Sequence, residues 1–156
     1  MKRILISPNS RPLRNGKRNA KNYPWWEELI DSLKQTGDYY IIQIGRSEET
    51  PLKNADEIKF DLSFIDLRDL VNTCFLWLSV DNFFPHFCAA YKLIKGIVLW
   101  GRSDPGIFGY DNINLLKDKR NLREKQFEGW EDIAYDENVF VSSNIILKEI
   151  KKLEHI

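Results

Sequence analysis

Three polar segments, each following an apolar run, carry the residue types able to do chemistry. The first, Arg11 to Asn22, holds five cations: Arg11, Arg14, Lys17, Arg18 and Lys21. It leads through Pro24 into a helical pattern, and proline suits the first turn of a helix. A helix start offers backbone N–H groups without intrahelical partners and a partial positive charge, so a phosphate is favoured there. Lys21 is the cation nearest that start. The alternative is a solvated basic loop.

The second segment, Ser79 to His86, joins an apolar run to the next helical pattern. Asp81 can bond backbone N–H groups or a hydroxyl, and the N–H groups of Asn82, Phe83 and Phe84 would then face an anion. His86, in the first helical turn, can donate to a phosphate oxygen. The bland alternative makes Asp81 a helix cap and His86 a core histidine. The third segment, Gly101 to Gly106, is rich in turn formers. There Arg102 can pair with a phosphate and Asp104 with a hydroxyl, or the segment is an ordinary strand-ending turn. No P-loop, dinucleotide fingerprint or nucleophile elbow is present, and no acidic cluster calls for a metal.

The elements around these segments follow from apolar periodicity. Apolar runs at Ile4–Ile6, Tyr39–Ile44, Cys74–Val80 and Ile97–Trp100 read as strands, and Ile58-Lys59-Phe60 and Ile113-Asn114-Leu115 are candidates for two further short ones. Trp25, Trp26, Leu29, Ile30 and Leu33 recur at helical spacing up to Gly37. Further helices are expected after Ser63 (Phe64, Leu67, Leu70, Val71), from Phe83 to Leu93 with Gly96 as breaker, and from Asn144 to Leu153. The last is expected to turn Ile145, Ile146, Ile150 and Leu153 inward. Lys117 to Lys125 reads as charged and exposed. Strands that alternate with helices, each strand apolar throughout, imply an α/β fold: a mainly parallel sheet with helices on both faces. Ligands of such sheets bind outside the carboxyl ends of the strands. The informative edges are therefore those after Ile6, Ile44 (with Gly45), Val80 and Trp100.

A chain of 156 residues, 43% hydrophobic and 29% charged, suits one globular domain, residues 1–156. Its 23 cations balance 23 anions, which argues against nucleic acid as a partner. The balance is uneven, however: residues 1–22 hold seven cations and no acid. Two cysteines, Cys74 and Cys88, sit among apolar residues and read as buried free thiols. Two histidines, His86 and His155, are too few and too scattered for a structural zinc site. No apolar run approaches the roughly 20 residues of a membrane span, so the expected compartment is the cytoplasm.

Taken in order, these segments resemble glycosyltransferase family 9, the heptosyltransferase-like enzymes. Lys21-Asn22-Tyr23-Pro24-Trp25-Trp26-Glu27-Glu28-Leu29 is similar to that family's Lys-x-Trp-Pro segment. Ile41 to Gly45 is similar to its strand ending in Gly, and Leu67 to Leu70 to its Ser-Leu-x-Glu-Leu helix. Asp81 and His86 keep its Asp-x-x-x-x-His spacing, with Phe83 where the family has Gly. Ile97 to Pro105 is similar to its strand followed by Gly-x-Thr/Ser-x-Pro.

The resemblance implies a Rossmann-like domain, the C-terminal donor-binding half of a GT-B fold. It implies that Ser7 and Lys21 contact the phosphates of a nucleotide-sugar, that Asn82 to Phe84 offer N–H groups to the diphosphate, and that Asp81 and His86 support the sugar and the loop. The nucleotide-sugar enters as substrate and no cofactor is implied. The acceptor side and the catalytic base are expected from a partner chain or a second copy. A non-catalytic nucleotide or nucleotide-sugar binder is the alternative.

Overall fold

The computed structural model describes residues 1–156. The apolar runs form strands β1 (Lys2–Ser7), β2 (Tyr39–Gly45), β3 (Glu57–Phe60), β4 (Leu76–Val80), β5 (Gly96–Trp100) and β6 (Ile113–Leu116). Every neighbouring pair is parallel, in the order β3-β2-β1-β4-β5-β6. Helices α1 (Trp26–Thr36), α2 (Phe64–Asn72), α3 (Phe83–Ala90), α4 (Pro105–Phe108) and α5 (Ser143–Leu153) complete an α/β Rossmann-like fold.

The period of two along each strand divides the core. Ile4, Ile6, Leu76, Leu78, Val80, Ile97 and Leu99 pack on one face with Leu29, Ile30 and Leu33 of α1 and Ile146 and Ile150 of α5. Leu5, Trp77, Val98 and Trp100 pack on the other face with Leu67 and Val71 of α2 and Phe84, Phe87 and Cys88 of α3. Both faces are covered, which is why the strands read as continuously apolar. Leu78 is fully buried, and its truncation to Ala is worth about 2–5 kcal/mol of stability.

Several elements differ from the sequence reading. α1 begins at Trp26, so Pro24 lies upstream of the helix, and Trp25 at the N-cap makes no side-chain capping bond. α3 stops at Ala90 rather than Leu93, and Lys92 takes a left-handed conformation (φ 57°) that turns the chain. Gly96 is not a helix breaker but the first residue of β5. It is paired in register with Trp77, and a Cβ there would stand 2.0 Å from the indole. Ile145 faces solvent, because the inward face of α5 is held by Ile146 and Ile150. The turn after β5 contains the short helix α4. Cys88 is buried and Cys74 half-buried, both free thiols whose burial pushes them above the ordinary thiol range.

Candidate functional site

The strand order reverses direction between β1 and β4, and at such a switch point open α/β sheets bind ligands outside the carboxyl ends of the strands; here that position, the β1–β4 crevice, lies between the loops leaving the two strands. Ser7 and Ser79, at the carboxyl ends of β1 and β4, are register partners. Asn82 fastens the two ends together. Its amide nitrogen donates to Ser7 Oγ at 2.9 Å and to the Asn9 carbonyl at 3.1 Å. Its amide oxygen accepts from Ser79 Oγ at 3.0 Å and from the Phe84 N–H at 2.9 Å. Asn82 is thus the N-cap of α3, in place of Asp81, and the Phe84 N–H is already engaged.

Asp81 turns toward the β1 loop. Its carboxylate pairs with Lys21 Nζ at 3.1 Å, and its carbonyl accepts from Ser10 Oγ at 2.6 Å. Asp81 is buried and its partner Lys21 is half-buried. A pair this sheltered interacts more strongly than an exposed one, because less water screens it.

The β1 loop is ordered by its asparagines. Asn19 donates to the Arg11 carbonyl and accepts from the Lys21 N–H, and Asn22 accepts from the Ser10 N–H. Gly16 takes a left-handed turn (φ +73°) at the tip. None of the ion pairs in the molecule includes Arg11, Arg14, Lys17 or Arg18. All four are exposed. Arg18 lies 3.9 Å above the ring of Tyr135, whose hydroxyl donates to the Asn22 carbonyl. Burial pushes that hydroxyl up to about 12.

The β5 loop is fastened from below and from the C-terminal side. Phe140 fills the space beside Gly101, where a Cβ would meet its ring at 2.8 Å. Asp104 caps α4 by accepting from the Gly106 N–H. Gln126 grips the loop, accepting from the Asp104 N–H and donating to the carbonyls of Arg102 and Arg123. Arg102 donates to the Asn121 carbonyl at 3.3 Å and lies 3.8 Å from the Asp136 carboxylate. At the end of β2, Gly45 leaves room for Glu49, whose carboxylate accepts from the Arg46 N–H and from Asn9 Nδ2.

The structure therefore gathers Ser7, Lys21, Asp81 and Asn82 at one crevice. Gly45 is linked to it through Glu49 and Asn9. Arg102 is linked to it through Arg123, whose N–H donates to the Arg102 carbonyl, and Trp130, which faces both Arg123 and Lys21. His86 stands apart: it is exposed and shares a 2.7 Å hydrogen bond with the Tyr110 hydroxyl beyond α4. It is not a core histidine. Phe83 is half exposed at the first position of α3, with helical backbone rather than the left-handed one that glycine favours. Phe84 is fully buried against Trp77, so only its backbone borders the crevice. Arg11 contributes its carbonyl to the loop and leaves its side chain in solvent. Asn9, Glu49, Gln126 and Trp130 escaped the sequence reading. Of these only Trp130 had a visible signal, as a tryptophan in a polar stretch outside every apolar run. No three His, Cys, Asp or Glu side chains are placed to hold a metal. No helix is long and apolar enough to cross a membrane.

No protein-family model matches the chain, and neither does any curated protein sequence. Solved structures do. ADP-heptose LPS heptosyltransferase II of E. coli superposes with a TM-score of 0.65 at 17% identity, over 97% of this chain and 46% of its own. The E. coli heptosyltransferase WaaC with ADP gives 0.64 at 18%, over 97% and 44%. TibC, an iron-containing dodecameric glycosyltransferase of enterotoxigenic E. coli, gives 0.73 at 15%, over 99% and 47%. The chain spans just under half the length of each. Its fold is accordingly that of one Rossmann-like half of a heptosyltransferase-like GT-B glycosyltransferase.

Proposed function

We propose that this chain binds the diphosphate of a nucleotide-sugar at the β1–β4 crevice and serves as the donor side of a glycosyl transfer. The observation that carries the reading is the sheltered Lys21–Asp81 pair at the point where the strand order reverses. A cation there meets the negative charge of a diphosphate, and Ser7, Asn82 and the Phe83 N–H border the same crevice. Among the structural neighbours, WaaC carries ADP and TibC carries ADP-D-beta-D-heptose. Gly45, Gly101, Arg102 and Asp104 line the flanking strand ends, and Arg11 and His86 stand at the margins.

In the transfer, an acceptor hydroxyl oxygen bonds to the anomeric carbon. The bond from that carbon to the diphosphate oxygen breaks, and the nucleoside diphosphate leaves with the electron pair. Lys21 offsets the charge gathering on the departing diphosphate. The hydroxyl proton goes to a base on the acceptor side, contributed by a partner chain or a second copy.

The second reading, a binder that holds the nucleotide without transfer, is favoured by one observation. The carboxylate gathered at the crevice, Asp81, is paired with Lys21, which leaves the crevice without a free base for an acceptor hydroxyl. A thermal-shift titration with ADP, UDP, GDP and their sugars tests the shared core of both. A ligand at 100 times its dissociation constant stabilises the fold by about 2.7 kcal/mol. No shift with any nucleoside diphosphate overturns both readings. Sugar transfer on adding an acceptor-side partner selects the first.

A further inference from the structure

The segment from Arg123 to Tyr135 has no regular secondary structure, yet it is fastened at both ends. At the β5 loop, the Arg123 N–H donates to the Arg102 carbonyl at 3.0 Å, and Gln126 donates to that same carbonyl at 2.9 Å. At the β1 loop, Asn15 Nδ2 donates to the Glu131 carbonyl at 3.2 Å and the Tyr135 hydroxyl donates to the Asn22 carbonyl at 2.7 Å. Between these anchors stands Trp130. The Lys21 ammonium lies 4.8 Å from its ring centre, and the Arg123 guanidinium 4.3 Å. Arg123 in turn donates to the Glu128 carbonyl at 3.1 Å, which fixes it within the same segment.

Lys21 is consequently held by two unlike groups, the Asp81 carboxylate and the face of an indole. A lysine has four rotatable bonds, and free in a crevice it would sample many rotamers. A carboxylate alone fixes its charge loosely, and an anionic ligand would compete for the same ammonium. The aromatic face attracts the cation without occupying its N–H donors. It can keep the lysine aimed while the ammonium changes partner from carboxylate to phosphate.

Building on the proposed donor role of the crevice, we infer that Trp130 is a positioning residue, which holds the Lys21 ammonium at the β1–β4 crevice for an anionic ligand. Lys–Trp contacts of this kind correspond to at least roughly two- to fivefold in affinity. Trp130→Leu removes the ring face and Trp130→Phe keeps one. The expected result is an ADP affinity about three- to fivefold weaker in Trp130→Leu and within about twofold of wild type in Trp130→Phe. In the Lys21→Ala background, Trp130→Leu should add no further loss.

Equal ADP affinity in Trp130→Leu and wild type, or full additivity with Lys21→Ala, would overturn the inference. A readout without ligand separates it from the donor reading. In carbon-labelled protein, the Lys21 ε-methylene resonance should carry a ring-current shift in wild type and Trp130→Phe, and lose it in Trp130→Leu. If wild type binds no ADP, the donor reading falls. The positioning role is then decided by that resonance alone: loss in Trp130→Leu supports it and an unchanged shift overturns it. Melting temperatures of the variants establish that each is folded.

Discussion

Asn82 Nδ2 donates to Ser7 Oγ at 2.9 Å, so one side chain joins the carboxyl ends of two strands while its oxygen caps α3. Loss of an N-cap corresponds to about 1 kcal/mol, and the severed bond to Ser7 adds a comparable amount. Asn82→Ala is therefore expected to lower stability by about 1.5–2.5 kcal/mol in urea denaturation. Asn82→Asp keeps the cap and loses the donor, and should fall between the two. An Asp variant as unstable as the Ala variant would mean that the amide donor dominates.

Lys21 and Asp81 should separate binding from folding. Lys21→Ala is expected to weaken ADP binding by about 1.5–3 kcal/mol, the range for one charge-assisted bond to phosphate. The same change leaves the Asp81 carboxylate buried without its cation, so melting temperature should also drop. Lys21→Ala/Asp81→Asn removes that penalty and should recover stability without recovering affinity. Calorimetry on the three proteins distinguishes the cases. Affinity unchanged by Lys21→Ala would show that the phosphate sits elsewhere.

The contact between Gly96 and Trp77 predicts a strong intolerance. A Cβ on Gly96 would stand 2.0 Å from the indole, whose N–H also donates to the Leu93 carbonyl at 2.8 Å. The ring also packs edge to face against Phe84 and is buried, so it has little room to yield. Gly96→Ala should destabilise by about 1–3 kcal/mol or more. Gly101→Ala meets Phe140, and Phe140→Leu should relieve much of its cost. If Phe140→Leu gives no relief, the role of Gly101 is not one of packing.

Glu154 sets a pH dependence at the far end of the sheet. The Tyr39 hydroxyl donating to its carboxylate holds Glu154 below the usual carboxylate range, and Lys2, 3.2 Å away, acts in the same direction. A depressed carboxyl contributes stability above its unfolded value, and that stability is lost as pH falls through the folded one. Melting temperature should therefore decline below the ordinary glutamate range, near pH 4 and under. In Glu154→Gln that part of the acid decline should be absent. An identical acid limb in both proteins would remove Glu154 from the cause.

The parallel sheet was legible because both faces are covered: Ile97-Val98-Leu99-Trp100 is apolar throughout, and only a doubly buried strand has use for that. The cation at position 21 and the acid at 81 were legible as candidates, since one precedes a helix start and the other follows the carboxyl end of a buried strand, where ligands of such sheets bind. Their pairing was not, because 60 residues of chain separate them and periodicity carries no information on long-range partners. The same holds for Gln126 and Glu49, single polar side chains whose role lies in bonds to distant backbone. Gly96 misled for a physical reason. A glycine beyond a helix signals a break, but this one answers to the bulk of Trp77 on the neighbouring strand.

The asparagine-ordered β1 loop has a kinetic consequence. It holds Arg11, Arg14, Lys17 and Arg18 exposed and outside any ion pair, on a molecule whose net charge is zero. Far away an anion feels nothing, while within a Debye length, about 8 Å at physiological salt, it meets a fixed local field beside the crevice. If the ligand is held as proposed, raising ionic strength should slow the association of a phosphorylated ligand much more than it speeds its escape, because the proposed contact at Lys21 is sheltered from salt. The loop would then act as a collector for the crevice, deciding how often an anion arrives and leaving to the residues within how long it stays.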